Sequence, residues 1–401
     1  MKFNYEKLGN LIELSETKNK DLAVTNLVGM NINKEFMPSV ANTVGTNLAN
    51  YKVIQRNQFA YNNMQVGRDR TIRVARYDDL NLSIISPAYK IFQIIDTNKL
   101  NSEFLMLYFL RSEFDRLCWF YTDSSIRGSL DWHQFCDIDV PVPPIEIQTK
   151  IVKIYNFLNE RIKLKEKINK NLTICIDVNF KNNLLNFNQY SEQELVSSEL
   201  GLIPKEWEVS NLTNIANYQN GLAMQKFPPE NDADCFKVLK IKELRQGFFD
   251  ETSDSCSKNI KEEFIVYDGD VIFSWSGSLL VDIWTGGTCG LNQHLFKVTS
   301  SKFDKWFYYC WTKFYLDQFI LIAKDKATTM GHIKRKHLDE SLVLIPDKET
   351  YSKLTMLFKP LFDMLIKNKI EIKKLQNLRD VLMPKLMSGE VDVSKINCDL
   401  E

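Results

Sequence analysis

The chain lacks most of the signatures that identify an enzyme. Its 401 residues contain no Walker-type phosphate loop, no G-x-S-x-G elbow, no H-E-x-x-H pair and no glycine-rich dinucleotide loop after a strand. The Asn/Asp-Pro-Pro-aromatic tetrapeptide of amino-methyltransferases is also missing. Only four histidines are present, which leaves few candidates for acid–base catalysis: His133, His294, His332 and His337. The sequence therefore disfavours a catalytic role.

An excess of one charge and a long apolar run are lacking too. Lysine plus arginine and aspartate plus glutamate each number 51, so the net charge points to neither nucleic acid nor a membrane. A neutral total still allows a local basic face. The longest apolar stretches, such as 279–284, fall far short of the roughly 20 residues that span a bilayer. The polar opening MKFNYEKLGN has no signal-peptide pattern, so we expect a cytoplasmic chain without a membrane partner.

Cysteine and histidine are not arranged as metal ligands. No two cysteines form a C-x-x-C pair, and no cysteine–histidine group has zinc spacing. We therefore expect reduced thiols, no bound metal and no cofactor held by this chain. The eight cysteines are Cys118, Cys136, Cys175, Cys235, Cys256, Cys289, Cys310 and Cys398.

What the chain does contain is a repeat. The segment SIRGSLDWHQFCDIDVPVP, from residue 125, aligns with TTMGHIKRKHLDESLVLIP, from residue 328. Gly128 falls on Gly331, an offset of 203 residues (331 minus 128), and Ile126 matches Met330 with a slip of one residue. At the same offset, Val140 and Pro143 align with Val343 and Pro346. This offset is much longer than the roughly 20–50 residues of solenoid repeats, so it indicates a duplicated module.

Each module precedes a long amphipathic pattern without glycine at its start. We expect a first module at 1–143, a long helix at 144–176, a connector at 177–200, a second module at 201–346, a long helix at 347–384 and a tail at 385–401. Strands are predicted at 51–56, 59–62, 71–75 and 91–95 before a helix at 102–119, and at 236–241, 264–266, 270–275 and 294–298 before a helix at 303–322. Pro360 predicts a kink or a late helix start, and Pro384 predicts the end of the second long helix.

The apolar stripes of the two long helices keep the offset of the repeat. Ile151 corresponds to Leu354, and Leu158 to Leu361. The simplest way to bury two such narrow stripes is against each other. The predicted fold class is therefore α+β: two similar mixed α/β modules separated by a long antiparallel two-helix coiled coil, with pseudo-two-fold symmetry.

Both modules contain groups suited to DNA. Arginine and lysine contact phosphates or guanine, and asparagine or glutamine can pair with adenine. The alternative interpretation is a solvated charged surface neutralised by carboxylates such as Asp69, Asp78 and Asp79. The DNA-binding candidates are Asn57, Gln58, Asn62, Arg68, Arg70 and Arg73 in the first module, and Lys240, Lys242, Arg245, Ser276, Lys334, Arg335 and Lys336 in the second.

Several blocks of the sequence resemble one family. GLIPKEWEV from residue 201, GDVIFSWSGSLLVDIWTGG from residue 269, LNQHLFKV from residue 291 and TTMGHIKRKHL from residue 328 are similar to the second recognition domain in specificity subunits of type I restriction-modification systems. NQFAYNNMQVGRD from residue 57 and PVPPIEIQTKI from residue 141 are similar to the first recognition domain, and LRDVLMPKLMSGEVDV from residue 378 to the C-terminal end of the family. The resemblance extends over nearly the whole chain.

This resemblance implies a non-catalytic subunit that recognises double-stranded DNA. Each module would read one half of a bipartite, asymmetric sequence, and the long helices would set the spacing. They would also dock two adenine-methyltransferase subunits, which carry S-adenosylmethionine, and ATP-dependent restriction subunits could join. Two other hypotheses stay open on the residues alone: a coiled-coil adaptor that binds proteins, and a methyltransferase with an unrecognised cofactor site.

Overall fold

The computed structural model describes residues 2–41, 45–64, 66–122, 128–231, 234–325 and 331–394. The repeat positions Ile126 and Met330, and the predicted thiol Cys398, lie outside these residues. The chain divides into two compact units: unit 1 is Met1–Glu160 with Asn377–Glu401, and unit 2 is Arg161–Gln376. The division falls inside both long helices, so each unit holds one module and a part of each helix. The predicted module boundaries stay a prediction.

Unit 1 is built around an antiparallel four-stranded sheet. Its strand order is Ile12–Leu14, Lys90–Ile94, Phe59–Asn62 and Arg73–Arg76. Phe59 and Phe92 stack at 4.9 Å between ring centroids, and both are fully buried. The remaining strands form pairs: Tyr5–Lys7 with Asp139–Pro141, Val28–Met30 with Phe36–Pro38, and Lys52–Ile54 with Ser83–Ile85.

Short helices cover this sheet: Val66–Asp69, Ser102–Phe109, Ser112–Phe120 and Trp132–Cys136. The single helix expected at 102–119 is two helices, because Arg111 takes an extended conformation that interrupts the turn. Asn101 caps the first of these two helices: its side chain accepts hydrogen bonds from the amides of Glu103 and Phe104.

Unit 2 contains a four-stranded sheet with the same strand order as the sheet of unit 1. The strands are Asn217–Asn220, Leu295–Thr299, Val271–Ser274 and Leu280–Ile283, again all antiparallel. A second sheet joins Ser255–Ser257, Cys235–Leu239, Cys289–Leu291 and Ile265–Val266. Two strand pairs complete the unit, Leu195–Ser198 with Gly201–Pro204 and Glu208–Asn211 with Leu342–Ile345. Its helices include Leu212–Ile215, Ile241–Gln246, Lys305–Phe314, Leu316–Asp325 and Arg335–Asp339, so the helix expected at 303–322 is also divided in two.

The two long helices are longer than the sequence suggested. The first runs over Ile145–Leu184, so 177–184 is helix and not connector. The second runs over Lys348–Ser388 and includes Pro360 without a late start. The prediction that Pro384 ends this helix is wrong. A proline removes one amide donor, but burial of Leu386 and Met387 in the core of unit 1 favours continuation of the helix.

Within each unit, the two long helices run antiparallel, as predicted. In unit 1, the Lys150 ammonium donates to the carbonyl of Ser394 at 2.8 Å, and Arg379 donates to Asn159 Oδ1 at 2.9 Å. In unit 2, Arg161 and Lys165 both contact Glu371 at 2.8 Å. The pKa of Glu371 is lowered by these hydrogen bonds, from Lys165 first. No described helix is long and apolar enough to cross a membrane.

Candidate nucleic-acid interface

The repeat glycines tie a loop to the end of each four-stranded sheet. In the first module, the Gly67 amide donates to the Gly128 carbonyl at 3.2 Å. In the second, the Gly277 amide donates to the Gly331 carbonyl at 2.9 Å. A Cβ on Gly128, whose φ is +52°, would approach Gly67 Cα to 2.6 Å. A Cβ on Gly331 would lie 2.3 Å from the Ala323 carbonyl oxygen, so both contacts require glycine.

A second backbone contact repeats, with its two donors again 203 residues apart (333 minus 130). The Leu130 amide donates to the Asn63 carbonyl at 3.2 Å, and the Ile333 amide donates to the Trp275 carbonyl at 3.0 Å. Helices then begin at Trp132 and Arg335, which keep the same offset. The duplicated sequence therefore has one structural purpose in both modules: it holds the loop that joins the third and fourth strands of the sheet.

In the first module this loop is residues 63–72, which we call the arginine loop. Arg68 Nε donates to Asp69 Oδ1 at 2.7 Å, and Arg73, at the start of the next strand, donates to Asp69 Oδ2 at 2.8 Å. The pKa of Asp69 is lowered, first by the hydrogen bond from Arg68. Arg70 is exposed, and its guanidinium lies 4.9 Å from the centroid of the Trp119 ring. One carboxylate thus orients two of three neighbouring arginines.

Of the other first-module candidates, Asn62 lies beside this loop, whereas Asn57 and Gln58 lie away from it. Asn62 pairs with Arg73 at the loop end of the sheet, where its Oδ1 accepts from the Met64 amide at 2.9 Å. Asn57 lies at the opposite end, and its Oδ1 accepts from Arg76 at 3.0 Å. Gln58 is buried, and its amide nitrogen donates to Ser15 and Gln93, both at 3.0 Å. These bonds keep the Gln58 amide inside the module and away from a base edge.

In the second module the corresponding loop is residues 275–279, which we call the serine loop. Ser276 is buried, with its hydroxyl 3.0 Å from His294 Nδ1. Trp275 Nε1 donates to Asn220 Oδ1 at 3.1 Å. The Trp275 ring lies 6.1 Å from the His294 ring and 6.2 Å from the His332 ring. The serine loop is therefore surrounded by Ser, Asn, Trp and His side chains, whereas the loop of the first module carries arginines.

Arg245 lies next to the serine loop. It lines a cavity of about 330 Å³ together with Gly277, Ser278, Lys324 and Gly331. Lys240 caps the helix that carries Arg245, and its ammonium is paired with Asp254. A Cβ added to Gly277 would lie 3.6 Å from Ile241 Cδ1, so the start of this helix is beside the serine loop.

Two of the remaining candidates, Lys242 and Lys336, are paired with carboxylates, and Arg335 is bonded to a backbone carbonyl. Lys242 contacts Asp250 Oδ2 at 2.7 Å and Thr252 Oγ1 at 2.6 Å, and the hydrogen bond from Lys242 is the first cause of the lowered pKa of Asp250. Lys336 pairs with Glu340 at 3.2 Å, one turn along its short helix. The exposed Lys334 precedes that helix, and Arg335 donates to the Tyr218 carbonyl at 2.7 Å.

Some surface groups were missed as site residues. Asn220, Gln293 and Lys324 lie beside the serine loop, and Trp119 lies under Arg70. Residues 292–294 are far from residue 275 in the sequence, and only the pairing of their strands brings them together. Among the described residues, no group of His, Cys, Asp and Glu side chains could hold a metal ion. Burial raises the pKa of the Cys118, Cys289 and Cys310 thiols.

Comparisons with known proteins identify the family. The model of the type I restriction modification DNA specificity domain matches the chain twice, at residues 6–173 and 204–375. The MjaIX specificity subunit of Methanocaldococcus jannaschii is 28% identical over 272 residues, which cover 65% of this chain and 62% of that protein. The EcoBI specificity subunit of Escherichia coli is 27% identical over 166 residues, covering 40% and 34%. The chain thus spans less than two thirds of the length of these relatives.

A solved structure supports the fold. The S subunit of a type I restriction-modification system from M. genitalium superposes with a TM-score of 0.58 at 14% identity, covering 96% of each chain. The matched model describes a DNA specificity domain, and the matched relatives are specificity subunits. Since the two matches to the family model span most of the sequence, the chain belongs to the type I restriction-modification DNA specificity family.

Proposed function

We propose that this chain recognises a bipartite, asymmetric DNA sequence, with one half-site for each module. The observation that carries the proposal is the pair of glycine-tied loops, Gly67–Gly128 and Gly277–Gly331. The two loops leave corresponding ends of two sheets with the same strand order, but they present different side chains. Two modules with the same scaffold and different contact groups are suited to two different half-site sequences. The family assignment supports DNA as the ligand.

The first module is suited to guanine. Arginine donates two parallel hydrogen bonds to guanine O6 and N7 in the major groove. Arg70 is exposed, and stacking on Trp119 limits its orientations before DNA arrives. Arg68 is oriented by Asp69, which also offers an acceptor for a cytosine amino group. We therefore expect at least one G·C pair in the half-site of the first module.

The second module is suited to mixed hydrogen-bond readout. Ser276, His294 and Asn220 form a connected group around Trp275. Amide and imidazole groups can both donate and accept, so they can contact any base edge. Arg245 and Lys324, at the rim of the adjoining cavity, add positive charge.

The long helices are proposed to set the spacer and to dock partner subunits. In unit 2, large apolar side chains are exposed on them, including Leu164 (59%), Met356 (72%) and Met364 (51%). Where such groups form a contiguous patch, they mark a protein interface. We propose that two adenine-methyltransferase subunits bind here and supply S-adenosylmethionine, and that ATP-dependent restriction subunits join them. Such a complex would act on DNA in the cytoplasm.

The direct test uses the chain purified with its methyltransferase partner. Footprinting should show two protected blocks separated by an unspecific spacer, and mapping of methylated adenines should give one asymmetric sequence. One protected block, or none, would contradict bipartite recognition. Methylation by the chain alone would contradict the division of labour with the partner.

Lengthening the helices tests the spacer. Four residues inserted after Lys165 and four after Lys367 keep opposite partners paired, because Lys165 donates to Asn368 Oδ1 at 3.1 Å and both residues then stay on the same side of the insertions. The insertion adds about 6 Å of helix at 1.5 Å per residue. We expect the preferred spacer to grow by about two base pairs, at 3.4 Å per pair, with both half-sites unchanged. An unchanged spacer would exclude the helices as the spacing element.

A further inference from the structure

We propose that a polar groove in unit 2 binds a phosphate of the DNA backbone and makes no contact with bases. The groove has a volume of about 360 Å³. It lies at the end of the sheet opposite the serine loop, where strand Asn217–Asn220 begins and strand Leu295–Thr299 ends. Its lining includes Thr213, Asn217, Thr299, Ser301, Lys302 and Arg335. This assignment rests on the proposed DNA-binding function and deepens it.

The lining has the chemistry of an anion site. Two cationic side chains, Lys302 and Arg335, face it together with several hydroxyl and amide groups. Among the residues that the structure describes, no Asp or Glu lines the groove. Phosphate oxygens accept hydrogen bonds from cationic, hydroxyl and amide donors, whereas a base edge needs a defined pattern of donors and acceptors. The Thr213 hydroxyl already donates to Asp339 Oδ1 at 2.6 Å, so the lysine and the arginine are the main donors for a phosphate. The Ser300 hydroxyl accepts from the Lys302 amide at 3.2 Å, which holds the turn that carries this lysine.

Arg335 is oriented before any ligand arrives. One nitrogen of its guanidinium, Nη2, donates to the Tyr218 carbonyl at 2.7 Å. A guanidinium has five N–H donors, so the remaining donors can still meet a phosphate. The side chain is exposed, and its backbone lies two residues after Ile333, whose amide is bonded to Trp275. The same segment therefore fixes both the serine loop and the groove.

The distance between the polar groove and the serine loop is close to the width of the major groove of B-DNA. Asn217 lines the groove, and Asn220 accepts the hydrogen bond from Trp275 at the loop. Three residue steps along a strand span about 10 Å at 3.3–3.4 Å per residue. The major groove of B-DNA is about 12 Å wide. A base edge at the serine loop thus leaves a backbone phosphate within reach of Arg335 and Lys302.

Salt dependence distinguishes a phosphate contact from a base contact. We would measure the dissociation constant of the chain with its methyltransferase partner for a duplex carrying the mapped site, from 50 to 300 mM KCl. Each phosphate contact contributes about 0.9 to the slope of log K against log salt. Arg335→Gln and Lys302→Gln should each reduce the slope by about 1 and weaken binding on the order of fivefold. Single-base changes in either half-site should keep their wild-type penalties.

Two control variants complete the experiment. Lys258→Gln removes one positive charge from the same unit, but this lysine is paired with Asp234 and does not line the groove, so the slope should not change. Ser276→Ala should alter discrimination in the second half-site and leave the slope unchanged. Far-ultraviolet circular dichroism and the melting temperature show whether each variant is folded.

Three outcomes would overturn the groove assignment. A folded Arg335→Gln complex with the wild-type slope is one, and a change of preferred base with Arg335→Gln is another. The third is loss of methyltransferase binding with unchanged DNA affinity, which would make the groove a site for an acidic protein segment. If the wild-type complex fails to select any sequence, the proposed function itself fails, and that result is separate from the other three.

Discussion

Both modules keep the loop between the third and fourth strands of the sheet in the same place, but the buried side chains near it differ. In the first module, the helix Ser112–Phe120 contributes Asp115, which accepts from the Ile72 amide at 3.0 Å and pairs with Lys34 at 2.9 Å. In the second module, the helix Leu316–Asp325 contributes Phe319, which is fully buried and stacks on Phe273 at 5.8 Å. The helix that follows the sheet thus contributes an ion pair in one module and an aromatic stack in the other. The duplicated part of the fold is its strand order and its glycine contact, and the groups around them are free to differ.

The largest expected effect comes from breaking the ion pair of the first module. The Lys34 side chain is 3% exposed, and its ammonium also donates to the Phe109 carbonyl. Lys34→Met would leave the Asp115 carboxylate buried without its counter-ion. We expect the free energy of unfolding of unit 1 to fall by about 3–5 kcal/mol, measured by urea denaturation. The double variant Lys34→Met/Asp115→Asn removes the buried charge and keeps an acceptor for Ile72, so it should recover much of the loss.

The glycine contacts should be nearly as sensitive. Gly331→Ala forces a Cβ to within 2.3 Å of a backbone oxygen and should destabilise unit 2 by about 3 kcal/mol. Binding to the second half-site should be lost, with the first half-site retained. Gly128→Ala should show the reverse preference. Gly29→Ala is the matched control, because its Cβ would meet only Ser39 Cα at 4.0 Å. Equal loss of both half-sites in either glycine variant would contradict independent modules.

Arginine substitutions test the chemical difference between the loops. Arg70→Ala should weaken binding by about 1–3 kcal/mol and relax the preference for one base of the first half-site. Arg73→Ala should act indirectly through Asp69 and give a smaller change at the same half-site. Competition binding with every single-base variant of both half-sites would measure this. Equal loss at both half-sites would show that the arginine loop does not act on its own half-site.

The smallest effect concerns the pH dependence of the arginine loop. The pKa of Asp69 is lowered in the folded protein, chiefly by Arg68. A lowered folded pKa adds stability above the unfolded value of about 4, and this contribution is lost as pH falls below it. Asp69→Asn should therefore lower the melting temperature at pH 7, with the difference shrinking toward pH 3. Asp317→Asn, an exposed position in the other module, provides the comparison; a constant difference for Asp69→Asn would refute the argument.

Sequence periodicity predicted the elements whose signals are local. The strand Phe59–Asn62 has the expected bounds, and the glycines at the offset of 203 make matching contacts in the structure. Local sequence signals gave the wrong end of an element where packing against distant residues determines that end. The second long helix continues past Pro384 because Leu386 and Met387 enter a core formed by residues far earlier in the chain.

The candidate site shows the same limit. Arginines 68, 70 and 73 were recognised as a cluster because they are neighbours in the sequence. No local pattern shows that Gln58 is bonded to Ser15 and Gln93, or that Arg335 reaches Tyr218 across 117 positions. Polar residues look alike in a sequence whether they face water or bond inside the protein. Their roles depend on strand pairing, which the periodicity of single segments does not specify.

Unit 1 consists of two segments that are far apart in the chain, and this sets an order of folding during synthesis. Leu386, Met387 and Val393 are at most 1% exposed and belong to the same core as Phe3, Leu8 and Ile151. These late residues leave the ribosome after every residue of unit 2. Unit 2 is continuous in the chain and can complete its core first, although the synthesis of unit 1 began earlier. The first module is therefore synthesised first but completes its core last. Its apolar surface stays uncovered until the final turns of the second long helix have been synthesised.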